Sequence, residues 1–329
     1  MRTLLLLMTL LLAACGGHGL KLKKDTAVDP LSQIRANLAF TCRHERIPEA
    51  SADSDLLFKY ARWLQKNNQL KEDPAVDAEV ERLYRIAAEH QHYKASINLI
   101  NGAFRGHFKV RGEERLRLSQ ELMDAGVASG YYFVGLFLQR GSAGLRENPE
   151  MALRYYRKAA DEGSALAQAL VADKLAPIRF APDIARQMRR CAAEQGHGDA
   201  ATDLGVDLAG DGHYQEAVEA FQLGVAAGDE TSAGFLDEGF RGPTPTNTLH
   251  YLGQEKDLER AERYKAIWSI LADYSYASPK VPEINDILPL PPAELPPWDG
   301  KLQWLEERKA NIPPPKPSEA LIHQLARDK

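Results

Sequence analysis

The sequence predicts an all-α protein in which antiparallel helix hairpins follow one another along the chain. The first observation behind this prediction is a recurring turn signal at Gln91, Gly126, Gly163, Gly196 and Gly228, in steps of 35, 37, 33 and 32 residues. The second is an apolar stripe at helical spacing in the clearest repeat. A period of this length suits one helix hairpin per repeat, and such hairpins bury their apolar faces by stacking.

Residues 1–14 are predicted to be an export signal and not part of the fold. Arg2 supplies a positive charge, and the apolar run at residues 4–12 is too short for a helix that stays in the membrane. The sequence Leu-Ala-Ala-Cys that ends at Cys15 resembles the lipobox of bacterial lipoproteins. This resemblance implies cleavage before Cys15 and a lipid on its thiol, and several acyl chains give a stable anchor. An ordinary signal with an incidental cysteine is the alternative.

The residue after the lipidated cysteine indicates which membrane carries the anchor. Lipoproteins that stay in the inner membrane typically have aspartate at this position, and this chain has Gly16. The resemblance therefore implies that the anchor lies in the periplasmic face of the outer membrane. Residues 15–50 are expected to form the lipidated tether and a first helix.

The charge balance limits the partners of the folded part. The 329 residues carry a net charge of -5, and this mild acidic excess argues against nucleic acid and against a second, electrostatic hold on anionic lipid. Membrane contact is therefore expected through the lipid only. No cofactor is expected.

Two cysteines remain once Cys15 is assigned to the lipid. An exported protein folds where disulfides form and persist, so a bridge between Cys42 and Cys191 is one interpretation. Two buried free thiols are the other. Their spacing is not that of a Cys-x-x-Cys motif, which makes a zinc or redox role a weak hypothesis.

The clearest repeat covers residues 131–167. In its first helix Gly135 allows a neighbouring helix to come close, and two glycines then turn the chain. Asn148 is predicted to cap the second helix and Pro149 to occupy its first position, where a missing N–H costs nothing. Gly163 is able to adopt the left-handed conformation that ends the helix. The apolar stripe between them consists of Ala152, Tyr155, Tyr156 and Ala159.

This repeat resembles the Sel-one-like repeat, a relative of the tetratricopeptide repeat. The matching residues are Gly141, Ala152, Tyr156, Ala159, Ala160 and Gly163. Leu145, Asn148 and Tyr155 depart from the family's valine, aspartate and tryptophan, and the repeat that ends at Gly196 lacks the glycine turn. The resemblance implies a right-handed superhelical solenoid over residues 51–277, including a helix that follows Asp257.

The composition changes in residues 278–329. Proline is dense there and excludes a helix at Pro289, Pro291, Pro292, Pro296 and Pro297. Apolar residues between positions 284 and 305 are too frequent for a loose linker. We expect an extended strap packed along the solenoid, with a disordered tail as the alternative.

No catalytic or metal-binding arrangement is expected. His107 and Lys109 match the start of a phospholipase D motif, but position 114 is glutamate where that motif has aspartate, and no second copy follows. His90 and His92 are two residues apart near a helix end, so they do not face each other. Helical repeat arrays usually work by presenting a long surface to another protein, and a binding protein is therefore predicted.

The resemblance extends to a particular class of binding protein. An exported lipoprotein with these repeats and the closing sequence INDILPLPPAELPPWDG is similar to the immunity lipoproteins of type VI secretion phospholipase effectors. It implies a monomer that binds and blocks a toxic lipase of phospholipase D type in the periplasm. A scaffold that assembles peptidoglycan or other envelope enzymes is the alternative, and an enzyme of unfamiliar type is a third interpretation.

Large aromatic side chains are the candidates for partner contact, because amphipathic rings often anchor interfaces. Packing in the core is the alternative role for most of them. The candidates are Tyr131, Tyr132, Tyr251, Tyr276, Trp298 and Trp304.

Overall fold

The computed structural model describes residues 38–176 and 181–327, and the compact unit that contains them begins at Leu38. All regular structure in these two ranges is helical, which confirms the predicted all-α fold. No helix there is long and apolar enough to span a membrane.

Six hairpins follow one another in chain order, and each packs on the next, which confirms the predicted helical solenoid. They pair α1 (Ala52–Asn68) with α2 (Pro74–Glu89), α3 (Tyr93–Phe104) with α4 (Gly112–Asp124), α5 (Ser129–Arg140) with α6 (Pro149–Asp161), α7 (Ala165–Leu175) with α8 (Pro182–Glu194), α9 (Gly198–Gly210) with α10 (Tyr214–Ala226), and α11 (Glu230–Phe240) with α12 (Leu258–Asp273).

The turns between hairpins share one backbone geometry. Gln91, Gly126, Gly163, Gly196 and Gly228 all have positive φ, between 59° and 110°. At each, the N–H of the following residue donates to the carbonyl five residues earlier, at 2.8 to 3.1 Å, as in a Schellman motif. The residue after the turn also caps the next helix in four of the five cases: His92, Ser164, His197 and Asp229. The recurring signal in the sequence is thus a joint that ends one helix and starts the next.

The central repeat has the predicted local structure. Asn148 Oδ1 accepts a hydrogen bond from Met151 N at 3.0 Å, and Pro149 is the first residue of α6. A Cβ atom on Gly135 would lie 2.6 Å from the Tyr156 ring, so glycine is required where these two helices touch. The core along the array divides into three main clusters, formed by the first, middle and last pairs of hairpins.

The N-terminal segment, residues 38–50, has no helix after Leu38 and lies on the middle hairpins. The Arg157 guanidinium donates to the carbonyls of Leu38 and Ala39, at 3.1 and 2.6 Å. Gln168 donates to the Arg43 carbonyl at 2.9 Å. A disulfide joins Cys42 to Cys191 in α8. The first hairpin helix therefore begins only at Ala52, after a segment held by long-range contacts.

The C-terminal segment, residues 278–327, contains three short helices: α13 (Ile284–Ile287), α14 (Gln303–Ala310) and α15 (Glu319–Arg327). Residues 288–302 are free of helix, as their prolines predict, whereas α14 and α15 were not predicted. Both occupy stretches without proline, so nothing prevents helix formation there. The strap is therefore extended only in part.

The C-terminal segment contacts both the fifth and the first hairpin. Near its start, the N–H of Val281 donates to the Ala226 carbonyl at 3.0 Å. At its end, Ile322 and Leu325 are buried in the core cluster of the first hairpins. The His90 ring makes a 2.8 Å hydrogen bond with the Leu325 carbonyl.

Candidate partner-binding surface

The first helices of three successive hairpins line one shallow cavity of about 230 Å³. Tyr132 contributes from α5, Leu166 and Asp173 from α7, and Asp199 and Asp203 from α9. Because side chains from three repeats meet here, the first helices present a continuous surface. We call it the first-helix face.

This face carries a row of aspartates. Asp199, Asp203 and Asp207 follow one another at intervals of four residues on α9, and Asp173 of α7 lies opposite them. Like charges four residues apart repel one another on a helix and weaken it. The first turn of α9 favours the Asp199 carboxylate, but helix stability does not explain Asp203 and Asp207. Their four-residue spacing was visible in the sequence as a signal, although the predicted site did not include them.

Arg189 of α8 is the cation that this row surrounds. Its guanidinium forms ion pairs with Asp207, with Asp173 at 3.1 Å and with Asp203 at 3.8 Å. The arginine is buried, and its Nε atom has no hydrogen-bond partner in the part of the chain that the structure describes. One positive charge therefore faces several carboxylates, and the face keeps a negative excess.

The pKa of Asp203 reflects this excess of negative charge. Burial raises the pKa of Asp203, Arg189 lowers it, and the neighbouring Asp173, Asp207 and Asp199 raise it further. The net direction is upward, because the single guanidinium does not offset burial and three carboxylates. A cationic group of a partner would relieve this repulsion. Two exposed aliphatic side chains, Leu166 on α7 and Val206 on α9, add apolar area to the same helices.

Two of the predicted aromatic contacts lie on α5. Tyr131 packs on Tyr155, with ring centroids 6.3 Å apart, and lies under the Lys158 ammonium. Tyr132 packs on Tyr156 at 5.8 Å and also lines the cavity of the first-helix face. Burial raises the pKa of Tyr132. Both rings are half-buried, so each serves packing while keeping one side at the surface.

Tyr251 and Trp298 are held by neighbouring groups. The Tyr251 ring meets Tyr214 edge to face at 5.1 Å. Trp298 packs against the core of the last hairpins, and its Nε1 donates to the Lys301 carbonyl at 2.8 Å. These contacts fit the alternative role of packing.

Tyr276 and Trp304 come together although 28 residues of sequence separate them. Trp304 of α14 meets Tyr274 edge to face at 5.8 Å, and Tyr274 lies 6.3 Å from Tyr276. The Arg308 guanidinium lies over all three rings, at 5.4 to 6.0 Å. This grouping was not visible in the sequence, because it forms only when α14 packs beside the end of α12.

The histidines singled out in the sequence have structural partners. His92 is buried and its Nδ1 accepts a hydrogen bond from Ala95 N at the start of α3. His107 Nδ1 lies 3.2 Å from an Asp77 carboxylate oxygen. Glu114, at the position where a phospholipase D motif has aspartate, is paired with Arg85 at 2.9 Å. These contacts serve packing and capping.

The cysteines were predicted to serve as a lipid site and a possible bridge. Cys42 and Cys191 are brought together, with their Cα atoms 5.6 Å apart. His44 lies close to both sulfur atoms, but two sulfurs joined to each other are not thiolate metal ligands. Cys15, the predicted lipidation site, lies outside the described residues.

The stacked hairpins, the shared joints and the continuous first-helix face together define a helical repeat protein of a kind that binds other proteins along its surface. Comparisons with known proteins found one matching family model and several solved structures with a similar fold. The model of a family described as a domain of unknown function, DUF6396, matches residues 232–329, which begin in α11 and include the C-terminal segment. The comparison with curated proteins gave no match.

Three solved structures from Pseudomonas aeruginosa share the fold. PA5086 is 26% identical, with a TM-score of 0.58, and the match covers 77% of this chain and 95% of that protein. PA5087, described as an immunity protein, is 23% identical with a TM-score of 0.58 and the same coverage. PA5088, also described as an immunity protein, is 23% identical with a TM-score of 0.60, over 77% of this chain and 94% of that protein.

Proposed function

We propose that this chain is an immunity protein that binds and inhibits a secreted phospholipase effector of phospholipase D type. It acts at the periplasmic face of the outer membrane, held there by lipid on Cys15. The observation that carries the proposal is that the similarity covers 77% of this chain and 94–95% of two proteins described as immunity proteins.

The sequence motif at the N-terminus supports the proposed location. A lipobox-like sequence ends at Cys15, and a lipid anchor concentrates an inhibitor on the surface that a phospholipase attacks. Because an inhibitor needs only to cover the mouth of the active site, a standard interface of about 1,600 Å² is sufficient.

The first-helix face is the proposed contact with the effector. Its aspartates share the single Arg189 guanidinium, so they fit a partner that presents arginine or lysine, and complementary charge both speeds encounter and fixes orientation. Leu166 and Val206 would supply apolar contacts beside the charged row.

The proposal is tested by capture and by enzyme inhibition. The unlipidated chain from residue 16 is used to capture proteins from envelope extracts of cells with active secretion, through salt washes. We expect one tightly held phospholipase whose activity falls to background at equimolar inhibitor. The variant Asp199→Asn/Asp203→Asn should bind it about tenfold more weakly, because removing charges at a complementary interface costs about this much. Glu150→Gln/Glu219→Gln, on exposed parts of α6 and α10, is the matched control.

A competition assay between strains distinguishes the immunity function from an envelope scaffold. A strain that lacks the gene should be killed faster than its parent by a sibling armed with the effector. Equal survival of the two strains contradicts the immunity function. Capture of cell-wall enzymes with unchanged activity would instead support an envelope scaffold.

A further inference from the structure

Two aliphatic residues have larger exposed fractions than any other large apolar residue in the ranges that the structure describes. Leu70 is 71% exposed and Ile312 is 80% exposed. Leu70 lies in the turn after α1, and Ile312 follows α14. Neither one contributes to the core clusters, so folding does not explain them.

The segment after α1 and the segment after α14 meet at one edge of the molecule. The side-chain amides of Asn67 and Asn311 bond to each other in both directions, at 3.1 and 2.7 Å. The Trp63 indole also donates to Asn311 Oδ1, at 3.0 Å. These bonds fix the end of α1 beside the end of α14, and we call the surface that carries Leu70 and Ile312 the α1–α14 edge.

Aromatic rings surround this edge. Trp63 stacks on Tyr60 at 5.9 Å on the α1 side. On the α14 side, Trp304, Tyr274 and Tyr276 surround the Arg308 guanidinium. Tryptophan and tyrosine rings with one apolar and one polar side are typical of the boundary between lipid and water.

The edge also holds cations without matching carboxylates. Arg62, Lys66 and Arg308 make no ion pair in the described part of the chain. Burial and then the neighbouring guanidinium groups of Arg62 and Arg308 lower the pKa of Lys66, and only Glu307 opposes them. At Lys66 the two guanidinium groups thus outweigh Glu307, so its surroundings are positive although the whole chain has a net charge of -5.

We propose that the α1–α14 edge docks on an anionic phospholipid surface. Leu70 and Ile312 enter the acyl region, the aromatic rings lie at the level of the headgroups, and the three unpaired cations contact phosphates. Positive charge beside protruding aliphatic side chains is complementary to such a surface. Protein hot spots, in contrast, cluster in well-packed pockets that exclude water, whereas these two side chains lie on separate segments and are largely exposed. The inference does not depend on the immunity function, and it departs from the expectation, drawn from net charge, that only the lipid on Cys15 contacts the membrane.

Vesicle binding tests this inference. The unlipidated chain from residue 16 is sedimented with vesicles of phosphatidylethanolamine and phosphatidylglycerol, and separately with vesicles of phosphatidylcholine. Burial of each aliphatic side chain is worth about tenfold or more in partitioning. We therefore expect Leu70→Ser/Ile312→Ser to weaken binding to the anionic vesicles by about a hundredfold. Lys66→Gln should weaken it severalfold, and phosphatidylcholine vesicles should bind more weakly.

The control replaces two other exposed leucines in the same way. Leu249→Ser/Leu258→Ser changes side chains that are 60% and 51% exposed on another part of the surface, and it should keep the wild-type affinity. The inference is overturned if the wild-type chain does not bind anionic vesicles, or if both double variants weaken binding equally. It is also overturned if Leu70→Ser/Ile312→Ser impairs only the capture of a phospholipase, since the edge would then contact protein.

Discussion

The hairpin array and the two terminal segments are held in place by different means. In the array, the helices satisfy their own backbone groups, and the joints close with bonds that span six residues. In the N-terminal segment, residues 38–50, and the C-terminal segment, residues 278–327, array side chains bond to the carbonyls. Arg157 and Gln168 hold the first segment, and Arg260, Arg263 and Gln222 hold the second.

The difference shows how a proline-rich chain becomes ordered. Proline donates no hydrogen bond, so its segment offers mainly carbonyl acceptors. Arginine and glutamine supply donors at the required positions: Arg263 alone donates to the carbonyls of Ile287 and Pro296, at 3.1 and 2.7 Å. Each terminal segment therefore depends on donors from the array, and the C-terminal segment in turn contributes buried Ile284, Leu288 and Leu302 to the core of the last hairpins.

The largest effect is expected from Arg260→Ala. This buried arginine donates to the carbonyls of Pro289 and Ala293, pairs with Asp257 at 3.1 Å and lies over the Phe240 ring. Its loss removes these hydrogen bonds, the ion pair and the ring contact of a side chain that is itself buried, which should cost about 4 kcal/mol of unfolding free energy. Urea unfolding measures this loss.

Limited proteolysis then tests whether Arg260 holds the C-terminal segment on the array. Residues 288–302 should become cleavable in Arg260→Ala while the array stays resistant. Arg154→Ala, at an exposed arginine that pairs with the exposed Glu150, is the control and should change stability by less than about 0.5 kcal/mol. If residues 288–302 stay protected in Arg260→Ala, the arginine does not hold the segment.

The disulfide variant Cys42→Ser/Cys191→Ser should have the next largest effect. The bridge closes a loop with a sequence separation of 149 residues and attaches the N-terminal segment to α8. Its removal should cost about 3 kcal/mol, chiefly because the unfolded chain gains freedom. The expected readout is a lower urea midpoint together with cleavage between residues 39 and 51. An unchanged midpoint would mean that the array alone sets the stability.

Gly228→Ala should cost about 2 to 3 kcal/mol. Its φ of +85° disfavours a side chain, and a Cβ atom there would also collide with the Pro279 carbonyl of the C-terminal segment. Gly212→Ala is a matched control, with a φ of +81° and nothing within 4 Å of the new atom, and it should cost about 1 kcal/mol. The difference between the two midpoints isolates the contact with the segment. Equal costs would refute that contact.

Gln91→Gly should stabilise the array by about 0.5 to 1 kcal/mol. Gln91 occupies the joint position with a φ of 59°, where the other four repeats have glycine. Glycine removes the steric cost of the left-handed conformation, and the freedom it adds to the unfolded chain offsets part of the gain. Gln120→Gly, in the middle of α4, should have the opposite sign. Thermal unfolding compares the two, and destabilisation by both would contradict the strain at Gln91.

The smallest effect concerns the first-helix face. The pKa of Asp203 is raised in the folded state, so the fold binds this proton more tightly than the unfolded chain does. Stability from this group is therefore present below the unfolded pKa and is lost as pH rises through the folded pKa. Asp203→Asn should stabilise the protein at pH 7 by less than about 0.5 kcal/mol, since the group is half-exposed, and should have no effect near pH 3.

Urea midpoints at both pH values measure this effect, with the exposed Glu219→Gln as control. A destabilised Asp203→Asn at pH 7 would show that its pairing with Arg189 outweighs the repulsion within the row. Weaker phospholipase capture by a more stable variant would, in contrast, show that the row serves binding.

The sequence predicts features within one hairpin well and contacts between residues far apart in the chain poorly. The joints, the Asn148 cap and the close approach at Gly135 were all predicted from residues that act within one hairpin. The helices α14 and α15 were missed because the surrounding prolines dominated the interpretation of residues 278–329. The aspartate row was visible as a four-residue spacing, but its meaning depends on Arg189, which comes from the preceding hairpin.

By itself the sequence determined the repeating joints, because steric limits on φ and hydrogen bonds between residues five positions apart act locally. Only the tertiary structure decided which array side chains hold the terminal segments and which surfaces form at their ends. The Asn67–Asn311 pair, 244 residues apart in the chain, brings Leu70 and Ile312 to one edge. No local pattern encodes such a pairing, because it depends on where the whole stack of hairpins places its first and last elements.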